Sequence, residues 1–148
     1  MIAVTVDPAP IDIGAEHAAL AAGGAGGIAT FAGLVRADDG VEALTLEHYP
    51  GATEAALSAL AEAAVARWDL TAARITHRVG RMVPGDTVVF VATAARHRAA
   101  ALEACAFLID RIKTEAPFWK KESLAGAERW VEPRGSDDAA AARWNENT

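Results

Sequence analysis

The apolar positions of this chain fall into blocks whose spacing separates strands from helices. Ile2 to Val6 is a short β-like run, whereas Asp12 to Ala22 opens acidic, continues through alanines and meets Gly23-Gly24-Ala25-Gly26-Gly27, which predicts a short helix ended by glycine. Ile28 to Arg36 reads as a strand. From Val41 to Tyr49, Leu44 and Leu46 alternate with Thr45 and Glu47, the period of a half-buried strand. Pro50-Gly51 then supplies the fixed φ and the positive φ of a type II turn. Thr53 is the predicted N-cap of the helix that follows, with Glu54 in its first turn and Leu57, Leu60, Ala61, Ala64, Val65 and Trp68 on one stripe.

Further along, Ile75, His77 and Val79 alternate in another strand. Pro84-Gly85-Asp86 turns the chain into Thr87 to Ala94, where the run Val88 to Val91 is apolar enough to predict a central strand. After Arg96-His97-Arg98 a helix is predicted to bury Leu102, Cys105, Ala106, Ile109 and Ile112. It must stop before Pro117, because proline disfavours α geometry at Ala116. Trp130 and Val131 suggest a last short strand, and Ser136-Asp137-Asp138 opens an alanine-rich helix reaching Trp144. Hairpin-like strand spacing with interleaved helices predicts an α+β fold rather than a doubly wound parallel sheet. No repeat or compositional break divides residues 1–148, so one domain is expected.

Composition narrows the possible functions. With 148 residues, 52% of them hydrophobic, the chain can bury one core, and its formal charge of −6 argues against general nucleic-acid or anionic-membrane binding. An anion site would have to be a local pocket. The single cysteine, Cys105, excludes an internal disulfide, and Met1-Ile2-Ala3-Val4 lacks a basic signal-like region, which leads to the expectation of a cytoplasmic protein. The uncharged stretch between His17 and Arg36 is not a membrane span, since glycines break it in the middle.

Candidate chemistry concentrates in one place. All three lysines lie in Lys113-Thr114-Glu115-Ala116-Pro117-Phe118-Trp119-Lys120-Lys121, while eleven arginines are scattered elsewhere. An ammonium group differs from a guanidinium in that burial lowers its pKa readily, which suits it to proton transfer or nucleophilic attack. Lys113 follows Ile109 by four residues, so it sits at the edge of the buried stripe. Its head is either partly desolvated or turned outward over the last helix carbonyls. The break at Pro117 would let the chain fold back and set Lys113 and Lys120 on one pocket, with Phe118 and Trp119 as walls; the alternative is Trp119 in the core and both lysines in water.

Arg96-His97-Arg98 stands at a strand-to-helix junction, where free N–H groups and the helix dipole favour an anion. That helix would place its start roughly 22 Å from Lys113 at 1.5 Å per residue, so its two ends cannot share one small ligand within a single chain. A site composed across a dimer removes the difficulty. Arg36 and Arg134 are weaker candidates for a phosphate. Glu47 and His48 have no partner at metal-ligand spacing, and no dinucleotide, P-loop or serine-hydrolase motif is present; neither a metal nor a cofactor is expected.

Several motifs occur in order along roughly three quarters of the chain: Phe31-x-Gly33-x-Val35-Arg36, Leu44-Thr45-Leu46-Glu47-His48-Tyr49-Pro50-Gly51, His77-Arg78-Val79-Gly80, Pro84-Gly85-Asp86, His97-Arg98, Lys113-Thr114-x-Ala116-Pro117-Phe118-Trp119-Lys120-x-Glu122 and Arg129-Trp130-Val131-Glu132. In these the sequence resembles the MoaE family, the large catalytic subunits of molybdopterin synthase. The resemblance implies an α/β hammerhead-type fold with a small added subdomain. It also implies a sulfurtransferase that converts cyclic pyranopterin monophosphate into the molybdopterin dithiolene by inserting two sulfurs. The implied sulfur source is the C-terminal Gly-Gly thiocarboxylate of a small ubiquitin-like carrier, and the implied assembly is a heterotetramer with a homodimer of this subunit at its centre.

Position by position, the resemblance makes Lys113 and Lys120 the catalytic lysines and Arg36, Val35, Leu34, His97, Arg98, Lys121, Glu122 and Arg134 substrate-binding positions. The sequence departs from the pattern at Leu34, where the family often has a lysine, so only backbone contact is expected there. Two other readings compete: a lysine Schiff-base lyase acting on a phosphorylated carbonyl compound, which needs a desolvated Lys113, and a non-enzymatic adaptor that docks a ubiquitin-like protein on Phe118-Trp119.

Overall fold

The computed structural model describes all residues except Ala22, 132–134 and 146–148. Eight strands and four helices follow in the order β1 (Ile2–Asp7), α1 (Ile13–Ala21), β2 (Gly27–Leu34), β3 (Ala43–His48), α2 (Ala52–Trp68), β4 (Ala72–Arg78), β5 (Gly80–Met82), β6 (Thr87–Ala95), α3 (Arg98–Glu115), β7 (Phe118–Leu124), β8 (Ala127–Trp130) and α4 (Gly135–Ala142). They build two four-stranded sheets, β1-β4-β6-β2 and β5-β3-β7-β8. Among the described residues only β1 and β4 pair in parallel, and the other ladders are antiparallel. The fold is α+β, as the strand spacing predicted, and β6 lies in the interior of the first sheet.

Alternation along the strands divides that sheet into two faces. Ala73, Ile75 and Val91 turn toward α2 and α3, meeting Leu57, Leu60, Ala61, Ala64, Ala104, Cys105, Phe107 and Leu108 in the main core. Ala72, Phe90, Ala92 and Ala94 turn the other way and bury Leu20 of α1, whose Glu16 pairs with Arg74 of β4. A third cluster, Val35, Leu46, Val79 and Met82, joins the two sheets and is covered in part by Phe118. Removing apolar area of this extent from water is the main force holding the layers together.

Three boundaries and one core position differ from the sequence-based expectation. The strand predicted to run through Ile75, His77 and Val79 breaks at Val79, because Gly80 takes φ 87° and carries the chain from the first sheet into the second. The strand expected to end at Arg36 ends at Leu34, and the Val35 N–H donates to the Asp86 carbonyl at 2.9 Å. Helix α2 is capped at Gly51 (φ 87°), with the Glu54 carboxylate accepting the Gly51 N–H; Thr53 lies inside the first turn, fully buried. Leu102, expected in the core, is 61% exposed, and Ala101, Ala104 and Leu108 fill the inward side instead.

The glycine run before β2 proves to be a close approach rather than a spacer. A side chain on Gly26 would collide with the Arg96 carbonyl, and the Gly26 N–H donates to Ala95 O at 2.9 Å. The start of β2 therefore lies directly against the Arg96-His97-Arg98 corner.

Candidate functional site

Helix α3 ends where its sequence requires. Ala116 adopts extended geometry ahead of Pro117, and its N–H closes the last turn on Ile112 O at 3.3 Å. Lys113 stands in that last turn with its side chain exposed, a placement the negative end of the helix dipole favours. The desolvated alternative for Lys113 is thus not the one adopted, which removes the physical basis for a Schiff-base nucleophile there.

After Pro117 the chain does not merely bend. Residues Phe118–Leu124 form β7, a strand that the sequence analysis missed because two adjacent lysines masked its alternation. In its register with β3, His48 faces Phe118, Leu46 faces Lys120 and Leu44 faces Glu122. Phe118, Lys120 and Glu122 thereby share the face that carries buried Leu46, whereas Trp119 and Lys121 lie on the other. The hinge is tied down by Thr53, whose hydroxyl donates to Pro117 O at 3.0 Å and accepts the Tyr49 N–H at 3.1 Å.

Lys113 and Lys120 both act electrostatically on a residue that the sequence offered as an inward strand position and as part of a shared motif, without a chemical role. His77 of β4 is 8% exposed and stacks on Phe118, with ring centroids 4.0 Å apart and an interplanar angle of 27°. Its Nδ1 lies 3.0 Å from the Arg78 carbonyl. Burial lowers the His77 pKa to about 4; the Arg78 bond works against this, and the positive charges of Lys120, Lys113 and His48 add to the lowering. Two lysines on different elements, a helix end and a strand, therefore act electrostatically on one ring. The available signal was a polar residue at an inward position of an otherwise apolar alternation, which is more informative than any exposed charge.

The remaining candidates are distributed unequally. His97 is the N-cap of α3 (φ −129°, ψ 150°) without a capping side-chain bond, and Arg98 is the first helical residue, so both stand at the far end of the 18-residue helix from Lys113. Arg36 is largely exposed and pairs with Asp38 at 3.2 Å. Leu34 is 56% exposed, while Val35 turns its side chain into the cluster beneath Phe118 and has its carbonyl bound by the Gly85 N–H. Val35 holds its neighbours in place and offers no side-chain surface to a ligand. Lys121 pairs with Glu128 at 3.5 Å and lies 5.5 Å from the Trp130 ring; Glu122 accepts from Arg129 at 2.9 Å. Arg134 lies outside the described residues.

On the outer face of β3 and β7, Trp119 meets Tyr49 edge-on at 4.3 Å, and with Glu47, His48 and Trp130 they line an open cleft of about 370 Å³. Trp119 is thus in neither the core nor the lysine pocket. Cys105 is buried among α3 contacts, and burial pushes its thiol up to about 11, which makes it a poor nucleophile. Among the described residues no group of three His, Cys, Asp or Glu side chains is placed to hold a metal ion.

Comparison with known proteins adds an independent line. The family model described as "MoaE protein" matches residues 6–115. A "Molybdopterin synthase catalytic subunit" of Pseudomonas aeruginosa is 50% identical over 98% of this chain and 100% of its own length. A solved "Molybdopterin biosynthesis MoaE protein" from Burkholderia ambifaria superposes with a TM-score of 0.84 at 49% identity, covering 97% of this chain and 98% of that one. A structure of "Molybdopterin Synthase" from Staphylococcus aureus gives a TM-score of 0.81 at 28% identity, covering 86% and 96%.

Proposed function

The chain belongs to the MoaE family and is the catalytic, sulfur-transferring subunit of a molybdopterin synthase, and from that premise we propose which residues carry the reaction. The observation that supports the assignment is that Lys113, in the last turn of α3, and Lys120, in β7, flank the Pro117 hinge and both act electrostatically on His77.

Sulfur is delivered as the C-terminal thiocarboxylate of a small ubiquitin-like carrier and goes to a side-chain carbon of cyclic pyranopterin monophosphate. Both reactants are anions, so cations must offset their repulsion before they approach. Lys113 aligns the attacking sulfur and handles protons. Lys120 stabilises the charge that builds on the pterin oxygen as its C–O bond breaks and the new C–S bond forms. Water then cleaves the bond between that sulfur and the carrier's acyl carbon, leaving the sulfur on the pterin and a carboxylate on the carrier. A second thiocarboxylated carrier repeats the sequence, and two sulfurs give the dithiolene.

Arg36, His97 and Arg98 hold the phosphate, with Lys121 and Glu122 as secondary contacts. Because His97 and Lys113 occupy opposite ends of α3, each complete site takes His97 and Arg98 from one subunit and the lysines from its partner in a homodimer. The carriers then bind at the periphery of a heterotetramer, in the cytoplasm.

The deciding experiment is reconstitution. The protein is mixed with thiocarboxylated carrier and cyclic pyranopterin monophosphate, and the dithiolene is detected as its fluorescent oxidation product while mass spectrometry follows replacement of the carrier's sulfur by oxygen. Product formed only when all three components are present is expected. No product and an unconsumed thiocarboxylate would sink the assignment.

A further inference from the structure

The first sheet is left open along β2. Its strand order is β1-β4-β6-β2, and among the described residues the ladder partner of β2 is β6, so half of its backbone N–H and C=O groups point away from the sheet. Natural edges are guarded by short length, charge or proline, because an unguarded edge templates pairing with another chain. The other edges follow that rule: β5 has three residues and carries Arg81, β8 carries Glu128 and Arg129, and β1 ends on Asp7 before Pro8. β2 does not. Its eight residues contain no charge and no proline, and Thr30, Ala32 and Leu34 are exposed.

The two ends of this edge belong to different parts of the candidate site. At the start, a Cβ on Gly27 would lie 3.6 Å from the Arg98 Cα, so the Arg96-His97-Arg98 corner adjoins. At the end, Val35 enters the cluster that Phe118 covers, so Arg36 and the Pro117 hinge adjoin. An extended strand of this length separates the ends by roughly 23 Å, and within one chain the corner therefore stays away from the hinge, as the length of α3 also requires.

A two-fold axis through the edge, perpendicular to the sheet, exchanges those ends. It pairs β2 with β2 of a second copy in antiparallel fashion and sets the corner of each copy beside the Arg36 end of the other. The charges agree. The start of the edge is basic, with Arg96, His97 and Arg98 all exposed, whereas the end holds the carboxylates of Asp38 and Asp86 beside their partners Arg36 and Arg78. Parallel pairing would instead set one basic corner against the other.

We propose that the open edge of β2 is the surface on which two copies of this chain assemble, pairing antiparallel near Thr30 and Phe31 so that the two first sheets become one. A second copy is the partner this edge fits, because one symmetric contact brings both corners to both hinges. The consequence for catalysis rests on the composite site described above; the contact itself can be read without the reaction.

Cross-linking and mass provide that reading. Residues opposed across antiparallel strands have Cα atoms about 4.5–5.5 Å apart, within reach of a disulfide. Like faces must oppose, so Thr30 meets either Thr30 or Ala32 of the second copy, and the double variant Thr30→Cys/Ala32→Cys covers both registers. Mild oxidation is expected to turn it into a covalent dimer, while Leu102→Cys, exposed on α3, stays monomeric on a denaturing gel. Ala32→Lys sets like charges across the axis and is expected to halve the mass in sedimentation with an unchanged circular dichroism spectrum. Its sulfur transfer should fall by roughly a hundredfold, since each hinge loses the corner that completes it. A monomeric wild-type protein, a folded Ala32→Lys protein that stays dimeric, or a dimeric cysteine variant that does not cross-link would overturn the proposal. A protein that cross-links on this edge and forms no product would refute the reaction and leave the surface standing.

Discussion

The Thr53 hydroxyl donates to the Pro117 carbonyl at 3.0 Å, so the first turn of α2 holds the hinge that separates Lys113 from Lys120. Thr53 is fully buried and also accepts the Tyr49 N–H. Thr53→Val conserves volume and removes both bonds, leaving the part-buried Tyr49 N–H and Pro117 carbonyl without this partner. It is expected to cost roughly 2 kcal/mol in denaturant unfolding and to lower sulfur transfer by more than the loss of folded protein explains. Unchanged stability would mean that the hinge is held by other contacts.

The lysines are expected to separate by strand face. Lys113→Ala and Lys120→Ala should each lower kcat by roughly 10² to 10⁴, the range for losing a proton-transfer group or a charge-stabilising one. Because both side chains are exposed, thermal stability should hardly move. Lys121 lies on the opposite face and is paired with Glu128, so Lys121→Ala should cost far less. Equal losses for all three would show that the cluster acts only through its summed charge.

Acid should expose the cost of burying His77. Its pKa is about 4 in the folded chain against an ordinary 6.5, so between those values the unfolded chain takes up a proton that the folded chain refuses. The stabilising contribution is complete above pH 6.5, declines as pH falls through the window, and is fully lost below about pH 4. The whole difference is about 3 kcal/mol. Urea unfolding at pH 7 and pH 4.5 should therefore show a smaller acid-side loss in His77→Phe than in wild type. Parallel losses in the two proteins would place the acid sensitivity elsewhere.

Composition of the site across a dimer has a direct genetic signature. Lys113→Ala and His97→Ala proteins, each inactive alone, are unfolded together and refolded so that their subunits mix. Under two-fold symmetry and random pairing, half the dimers are mixed and each has one unmutated site, so about a quarter of wild-type activity should return. No recovery would place both residues in one chain's site.

The sequence carried the helices and the central strand clearly, because Leu57 to Trp68 and Val88 to Val91 have strong periods and Pro117 is an unambiguous stop. It carried the lysines by their clustering alone. What it hid were features decided by distant partners. Phe118–Leu124 is a strand because β3 pairs with it, although its own alternation places one lysine on each face. Leu102 is exposed because the small Ala101 and Ala104 let α3 pack close to the sheet, turning the larger side chain away. The break at Val79 depends on a positive φ at Gly80, and a glycine after an alternating run is equally consistent with a turn or a bulge. His77 was visible as an inward polar residue, but the lysines that give it meaning are far away along the chain.

One wall of the His77 niche is β1. Among the described residues β1 is an edge strand paired with β4, and Val6 sits beside His77 across a parallel ladder; the Met1 ammonium donates to Thr71 O at 2.9 Å. Parallel pairing over so long a loop is slow to form, since chain closure must precede the contacts that reward it. Truncating Val6 to alanine should therefore accelerate unfolding and leave the refolding rate nearly unchanged; a matching slowdown in refolding would contradict that order. The His77 ring is fully enclosed only when β1 pairs with β4, so a partly unfolded molecule can carry every residue of the site and still have an ordinary, titratable histidine where the folded protein has a buried, neutral one.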